Sequence, residues 1–383
     1  MHDVVISGAG PAGSFAALRL ARAGARVLLV ERARFPRDKL CGDTLNPGAL
    51  ALLRTHGLAD DIVRMGLPID GMVVRSGTGV RIEGRYGDGL VGCAIRRRDL
   101  DSRLLDAALA AGVAFVDGTT VVGPLVDGTH RSRVRGLRVR GRDGHELSLP
   151  ARVTLATDGR RSPVALALGL ARHPRWPRRW AVGAYYDGVS GCSQVGEMHV
   201  RPGAYIGVAP STGGLANVCL VTGRREGFSS PAAMLDRVLA RDPMLRDRFT
   251  TAARVTEVVT LGPLALDVSR AGADGLLLAG DAAGFVDPMT GDGMHLALRG
   301  GQLAAQVALE MLDDSGLDGA ARLGALRREA FSFKLRFNRV LRTLVGIPMG
   351  VHVGAVGASV LPFVLRRIIA TAGDVALARE PAA

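Results

Sequence analysis

Apolar and polar positions follow three regimes along this chain. Near the start, Val4-Val5-Ile6 reads as a short buried strand and Ser14 to Ala23 as a helix rich in small residues, stopped by Gly24. Arg26 to Val30 is a second buried strand. Unbroken apolar runs around a helical pattern are what a parallel sheet covered on both faces requires. Val113 to Val122 reads as a further strand, and 133 to 156 alternates around a turn at Arg142-Asp143-Gly144-His145, as an antiparallel meander does. Alternation dominates again between about 170 and 262, in Ala181 to Tyr186, Glu197 to Val200, Tyr205 to Ala209 and Asn217 to Val221. A helical pattern from Pro231 to Ala240 interrupts it. The apolar run Leu276 to Ala279 then precedes a long helical pattern from Met294 to about Leu312. The pattern predicts an α/β fold, with a β-rich stretch between about 170 and 262.

The first strand runs into Gly8-Ala9-Gly10-Pro11-Ala12-Gly13, and the second ends in Glu31, 23 residues after Gly8. Strand, GxGxxG, helix, strand and acid together are the dinucleotide-binding fingerprint. Gly8 permits the tight turn, Gly10 lets backbone approach a pyrophosphate, and Gly13 lets the helix pack close to the sheet. The helix N-terminus holds the phosphates, and Glu31 accepts hydrogen bonds from ribose hydroxyls. A bare Gly-rich turn would not need the terminal acid.

A second constellation follows the Leu276–Ala279 run. Gly280-Asp281 closes that strand, Ala282-Ala283-Gly284 follows, and Pro288-Met289-Thr290-Gly291-Asp292-Gly293 opens the long helix. The Asp can bind ribitol hydroxyls, and the helix dipole can face a ring that becomes anionic on reduction. A simple nicotinamide-binding domain has no use for this second hold.

Taken together, residues 3 to 310 resemble the FAD-dependent oxidoreductases built like p-hydroxybenzoate hydroxylase, including their geranylgeranyl-reductase-like branch. Arg97 in Arg97-Arg98-Asp99-Leu100-Asp101 matches the family's Arg-x-x-Leu-Asp, whose Arg contacts the flavin; its plain alternative is the start of a surface helix. Ala156-Thr157-Asp158-Gly159 resembles the Asp-Gly segment between the flavin and nicotinamide sites, and Val121 would lie beside the adenine. Pro36-Arg37-Asp38-Lys39-Leu40-Cys41-Gly42 resembles the Pro-x-x-Lys-x-Cys-Gly segment that wraps the flavin in the reductase branch. The resemblance implies a Rossmann-like, glutathione-reductase-like FAD-binding domain (1–70, 95–170 and 262–312), a β-sheet substrate domain (71–94 and 171–261) and a C-terminal helical region (313–383). The implied cofactor contacts are Gly8, Gly10, Ala12, Gly13, Glu31 and Arg32 at one end. Cys41, Gly42, Thr44, Arg97, Val121 and Asp158 follow, then Gly280, Asp281, Gly293 and Met294. NAD(P)H is the expected reductant, visiting a surface groove.

Catalytic candidates are fewer. Asp43 is the carboxyl expected nearest the flavin, as an acid or as a structural hydrogen-bond partner. Cys41 is either a redox or nucleophilic thiol or a small residue packed on the ring. His295 either reaches the flavin or packs within its helix. Prenyl reductases of the branch carry Tyr-x-Trp-x-Phe-Pro along the substrate channel; here the stretch is Tyr205-Ile206-Gly207-Val208-Ala209-Pro210, so both large rings are missing and the pocket should be wider.

Composition bounds the remaining classes. About 48% hydrophobic and 22% charged residues are globular proportions, and with only 4% aromatics the core must be built from Ala, Val, Leu and Gly. Net charge is +13, almost all basic residues being Arg (Lys39 and Lys334 are the two lysines). A basic surface, or attraction to anionic lipid or cofactor, explains this charge without nucleic acid, since no nucleic-acid-binding motif accompanies it. Cysteines at 41, 93, 192 and 219 lack metal-ligand spacing, so no metal is expected and reduced thiols in the cytoplasm are. The uncharged stretch 343–365 leaves three readings open: helices over the substrate channel, peripheral membrane contact, or a membrane span.

The missing rings make a monooxygenase (hydroxylase) of a lipophilic polyketide-, quinone- or isoprenoid-like molecule the expected function. A geranylgeranyl-reductase-like enzyme reducing isoprenoid double bonds is the alternative, and a non-catalytic lipid escort of the same fold the third.

Overall fold

The computed structural model describes residues 2–77, 79–87, 89–127, 133–176, 178–223 and 227–346. Its first sheet has a parallel centre. Strand His2–Ser7 lies between Val27–Val30 and Glu146–Ala156, with Ala114–Val116 and Leu276–Leu278 beyond them, all paired in parallel. Alternation along the central strand sends Val4 and Ile6 to one core and Val5 to the other, so both faces are covered, which is why these strands read as unbroken apolar runs. Helices Pro11–Arg22, Arg97–Ala110 and Gly293–Asp313 cover the first face. The second face is covered by the antiparallel strands Thr120–Val126 and Val134–Arg140 and by the short helix Pro163–Ala167.

Two sequence expectations shift here. The fingerprint helix begins at Pro11 rather than Ser14, because proline at the first helical position has no N–H to leave unsatisfied. The single strand expected over Val113 to Val122 is two, Ala114–Val116 and Thr120–Val126. Asp117-Gly118 turns the chain between them, with Gly118 at φ +62°. The first piece joins the parallel sheet and the second the meander. Val121 therefore stands near the start of a strand, not at the end of one.

The second sheet runs in the order Ala253–Arg254, Trp180–Asp187, Ala216–Thr222, Ala204–Pro210, Val195–Arg201, Gly71–Ser76, Arg81–Arg85. Neighbours are antiparallel except Gly71–Ser76 beside Val195–Arg201, which is parallel. Helix Pro231–Arg241 packs Leu235 and Leu239 against one face of this sheet, and the other face is turned toward the first sheet's helix ends. A small third sheet of Thr44–Leu45, Gly92–Ala94 and Leu67–Ile69 joins the two.

Helix Gly319–Gly346 packs Leu323 and Phe331 into the first core. The apolar stretch 343–365 lies outside the described residues from position 347 on. No helix among the described residues is long and apolar enough to cross a membrane.

Candidate active site

Two strand ends are locked together where the fingerprint begins. Thr157 Oγ1 donates to Ser7 O at 2.7 Å and to Gly8 O at 2.8 Å, and Gly8 N donates to Val30 O at 2.7 Å. Gly8 sits at φ +94°, and a Cβ there would fall 2.7 Å from Asp158 Cα. A Cβ on Gly13 would fall 1.9 Å from Gly8 O and 2.4 Å from Thr157 Oγ1. Only glycine lets the helix approach this closely.

Gly10 differs: a Cβ there would meet nothing nearer than the guanidinium groups of Arg37 and Arg97, at 3.8 and 3.9 Å. It precedes a 12-residue helix with no side-chain cap, so the amides of Ala12 and Gly13 have no intrahelical acceptor, and Ala12 lies at the wall of a cavity. Arg97 flanks that opening. It is buried, with Nε and Nη2 bound to Asp101 at 2.8 and 2.7 Å. Burial opposes its charge, but the Asp101 carboxylate prevails and holds the guanidinium well above its usual pKa. Glu31 is fixed by the amides of Ala9 (2.9 Å) and Ala33 (3.0 Å). A bare helix end, a glycine cradle and a fixed guanidinium fit a pyrophosphate, so these residues suit a dinucleotide such as FAD.

The opposite wall comes from the downstream constellation. Gly280, at φ +59°, lies against Ala12, and a Cβ on Gly301 would fall 2.4 Å from Ala12 O. The starts of both helices, at Pro11-Ala12 and Gly293-Met294, line one cavity. Asp292 precedes the long helix without capping it; its carboxylate is held instead by Asn338 Nδ2 at 2.9 Å and Lys334 at 3.6 Å. The amides of this helix end accordingly also face the cavity, beside Gly293 and Met294.

Between these ends and the second sheet lies a cavity of about 240 Å³. Along strand Ala204–Pro210, Tyr205, Gly207 and Ala209 on one face line it, with Val208 contributing between them. Gly207 pairs with Met198 and Cys219, and Ala209 with Asn217. A Cβ on Gly207 would meet only Cys219 O, at 3.8 Å. The sheet's floor is thus low at the two positions where the sequence lacks aromatic rings.

Asp43 stands over this floor. Its backbone is left-handed (φ +55°), one of the strained conformations that collect at functional sites. Oδ2 accepts from Asn217 Nδ2 at 2.7 Å and from the Tyr185 hydroxyl, while the buried Oδ1 has no partner among the described residues. Asn217 Nδ2 also donates to Cys41 O at 2.7 Å. Burial pushes the Asp43 carboxyl up to about 7, against the lowering effect of its two donors. Since Oδ2 already accepts two hydrogen bonds, the proton of the neutral acid belongs on Oδ1. Burial also raises the Cys41 thiol, which disfavours the thiolate a nucleophile would need.

Of the residues singled out in the sequence, Gly10, Ala12, Arg97, Gly280 and Asp281 line this cavity at the phosphate side. Cys41, Gly42, Asp43, Thr44, Gly293 and Met294 line it toward the second sheet. Gly8, Gly13 and Asp158 lie behind the wall, where Asp158 Oδ2 accepts from Ser7 Oγ at 2.7 Å. Arg32 is exposed, Val121 is packed in the meander core and His295 is buried in its helix; none of the three lines the cavity. Tyr185 and Asn217 escaped sequence reasoning. The one available signal was a polar residue at an inward position of an otherwise apolar alternating strand.

Comparison with known proteins agrees with this geometry. A family described as FAD binding domain matches residues 1–316. The chain is 34% identical to a menaquinone reductase of Mycobacterium tuberculosis over 342 residues, covering 82% of this chain and 77% of that one. It is 32% identical to digeranylgeranylglycerophospholipid reductase 2 of Methanopyrus kandleri over 323 residues, covering 82% and 78%. Among solved structures, a flavoprotein/dehydrogenase from Cytophaga hutchinsonii superposes with a TM-score of 0.83 at 20% identity, over 97% of this chain and 92% of that one.

Proposed function

The chain belongs to the FAD-binding-domain family and is an FAD-dependent oxidoreductase, and from that premise we propose that it reduces a carbon–carbon double bond of an isoprenoid-bearing quinone or lipid. Two relatives above 30% identity are named for reduction of such molecules. They favour the reductase over the hydroxylase that the missing rings suggested. The observation that carries the reading is Asp43, a buried carboxyl at the cavity wall whose Oδ1, without a partner among the described residues, is the natural seat of a transferable proton. Adding hydrogen across a double bond needs that proton. Hydroxylation also consumes a proton, but delivers it to oxygen and not to carbon.

The flavin, reduced by NAD(P)H, supplies the hydride when bound. In this proposal Gly10, Ala12 and Arg97 hold the pyrophosphate, Glu31 the adenosine ribose and Asp281 the ribitol, with Gly293 and Met294 beside the ring. Asp43 Oδ1 gives its proton to the second carbon of the substrate, and the resulting carboxylate is stabilised by Tyr185 and Asn217 through Oδ2. The apolar floor orients the substrate and keeps water away from both transfers. The division into an FAD-binding unit and a substrate unit belongs to the same proposal, supported by Gly71–Ser76 pairing with Val195–Arg201 rather than with the first sheet.

Anaerobic incubation with NAD(P)H and a prenylated quinone tests the reading. A product two hydrogens heavier, formed without oxygen, is the expected result. Product that appears only with oxygen and carries one of its atoms would return the chain to the hydroxylases.

The low floor explains the missing rings without hydroxylation: it admits a ring head group as well as a prenyl chain. At position 207 a Cβ meets nothing nearer than Cys219 O, at 3.8 Å, and the position lines the cavity, so Gly207→Trp directs its ring into it. It should leave flavin content unchanged and lower kcat/KM for a ring-bearing substrate by about tenfold or more, with less effect on a linear prenyl lipid. Parallel kinetics on the two substrates check this, and equal losses would show that ring width is not what the floor selects.

A further inference from the structure

The loop from Arg172 to Trp180 contains four arginines and no acidic residue. Its base is tied on both sides. His173 Nδ1 lies 2.9 Å from Ala265 O, and Leu264 N donates to Arg179 O at 2.9 Å. Arg179 also pairs with Asp287 at 3.1 Å, and Trp180 packs edge-on against Phe228. Across the tip, Arg178 Nε donates to Pro174 O at 3.3 Å.

This frame holds out Trp176, whose side chain is 85% exposed, the highest value among the large apolar residues described. A lone exposed apolar residue needs no explanation. Here three further observations accompany it. Arg175 and Arg178, beside Trp176, are exposed. Arg161, also exposed, donates to Gly262 O at 2.8 Å next to the loop's anchor, and Val259 on the adjoining strand is exposed as well. The loop leads directly into Ala181 and is bonded to Leu264, and both of those residues line the cavity.

We infer that this loop docks the protein on an anionic lipid surface, with Trp176 inserted at the level of the head groups and the arginines on their phosphates. Tryptophan favours that boundary because its ring is apolar and its N–H still needs a partner, and arginine pairs with phosphate in a forked geometry. The charge selects the partner, because a patch this basic is repelled by a second copy of a chain of net charge +13 and attracted by an acidic bilayer. Docking at the rim brings the cavity to the membrane, so a lipid-borne substrate can enter without crossing water. The inference rests on the proposed function for its purpose, whereas the exposed loop stands independently of it.

The test uses the flavin-loaded full chain and phosphatidylcholine vesicles with and without phosphatidylglycerol. With only two tryptophans in the chain, intrinsic fluorescence reports the loop directly. The expected results are a blue shift and sedimentation with the anionic vesicles only. Trp176→Ser should weaken that binding by about fivefold or more, and a paired Arg175→Ser/Arg178→Ser variant by a similar factor. Both variants should keep wild-type flavin content and turnover on detergent-dispersed substrate. Sedimentation that is unchanged in both variants, or equal on neutral and anionic vesicles, overturns the inference. So does concentration-dependent self-association that the Trp176 variant abolishes without vesicle binding. Wild-type protein that docks as expected yet reduces no prenylated substrate would leave the docking in place and sink the proposed function.

Discussion

Asp43→Asn should lower double-bond reduction by about 10²- to 10⁴-fold, the usual share of a positioned general acid, while the protein stays yellow. The amide keeps the volume and can still accept from the Tyr185 hydroxyl through its oxygen, so the wall survives and only the transferable proton is lost. The pH profile gives the second readout. The neutral acid is the donor, and burial places its pKa at about 7, so kcat should hold on the acid side and fall as pH rises through about 7. Tyr185→Phe removes a hydrogen bond that favours the carboxylate, so the falling limb should move to higher pH. Rapid-quench turnover across pH, for the wild type and both variants, checks all three statements. A wild-type profile flat from pH 5 to 9, or an Asp43→Asn enzyme within a few-fold of wild type, would remove Asp43 from the chemistry.

Gly13→Ala should yield colourless protein with a lowered melting temperature, although it adds a single methyl group. That methyl would lie 1.9 Å from Gly8 O and 2.4 Å from Thr157 Oγ1. Neither atom has room to retreat, because Gly8 is bonded to Val30 and Thr157 to both Ser7 and Gly8. Relief must come from moving the helix off the sheet, which carries the Ala12 end of the helix away from the proposed phosphate site. Overpacking of this kind costs about 1–3 kcal/mol, and the stabilisation from bound flavin is lost with it. Gly10→Ala separates the two effects. Its methyl meets nothing within 3.8 Å and protrudes only toward the cavity, so the chain should fold with near-normal melting as apoprotein and hold flavin weakly. Flavin absorbance and thermal melting of both variants decide the matter. A Gly13→Ala protein that is yellow and melts normally would mean the helix has slack the geometry denies.

The fingerprint was legible because its physics is local: every residue it needs lies within one strand–helix–strand unit, and each type answers a steric or electrostatic demand at that spot. The second anchor at Gly280-Asp281 and the alternating strands were legible for the same reason. Asp43 was visible as a carboxyl near a resemblance motif. Its environment was not, because Tyr185 and Asn217 come from 142 and 174 residues away and no spacing connects them. The strand over Val113 to Val122 was misread because its apolar run continues across a turn, and only Asp117-Gly118 marks the break. The missing aromatic rings were legible in the sequence, and the structure places Gly207 and Ala209 at the cavity wall. Their chemical meaning was not contained in them, since a wide floor serves hydroxylation and reduction alike.

The parallel pairing of Gly71–Ser76 with Val195–Arg201 has a consequence for how the chain reaches this state. Two segments more than a hundred residues apart must meet before the second sheet has its full width, and the intervening chain has meanwhile to complete the meander and the strand at Glu146–Ala156. Contacts of such long sequence separation slow folding, and the two sheets have to mature together rather than one after the other. A fragment such as 171–261, excised as a would-be module, would leave the edge of Val195–Arg201 without its neighbour and expose an unpaired strand beside apolar side chains. It should aggregate rather than bind substrate, because an edge of that kind is a template for other chains.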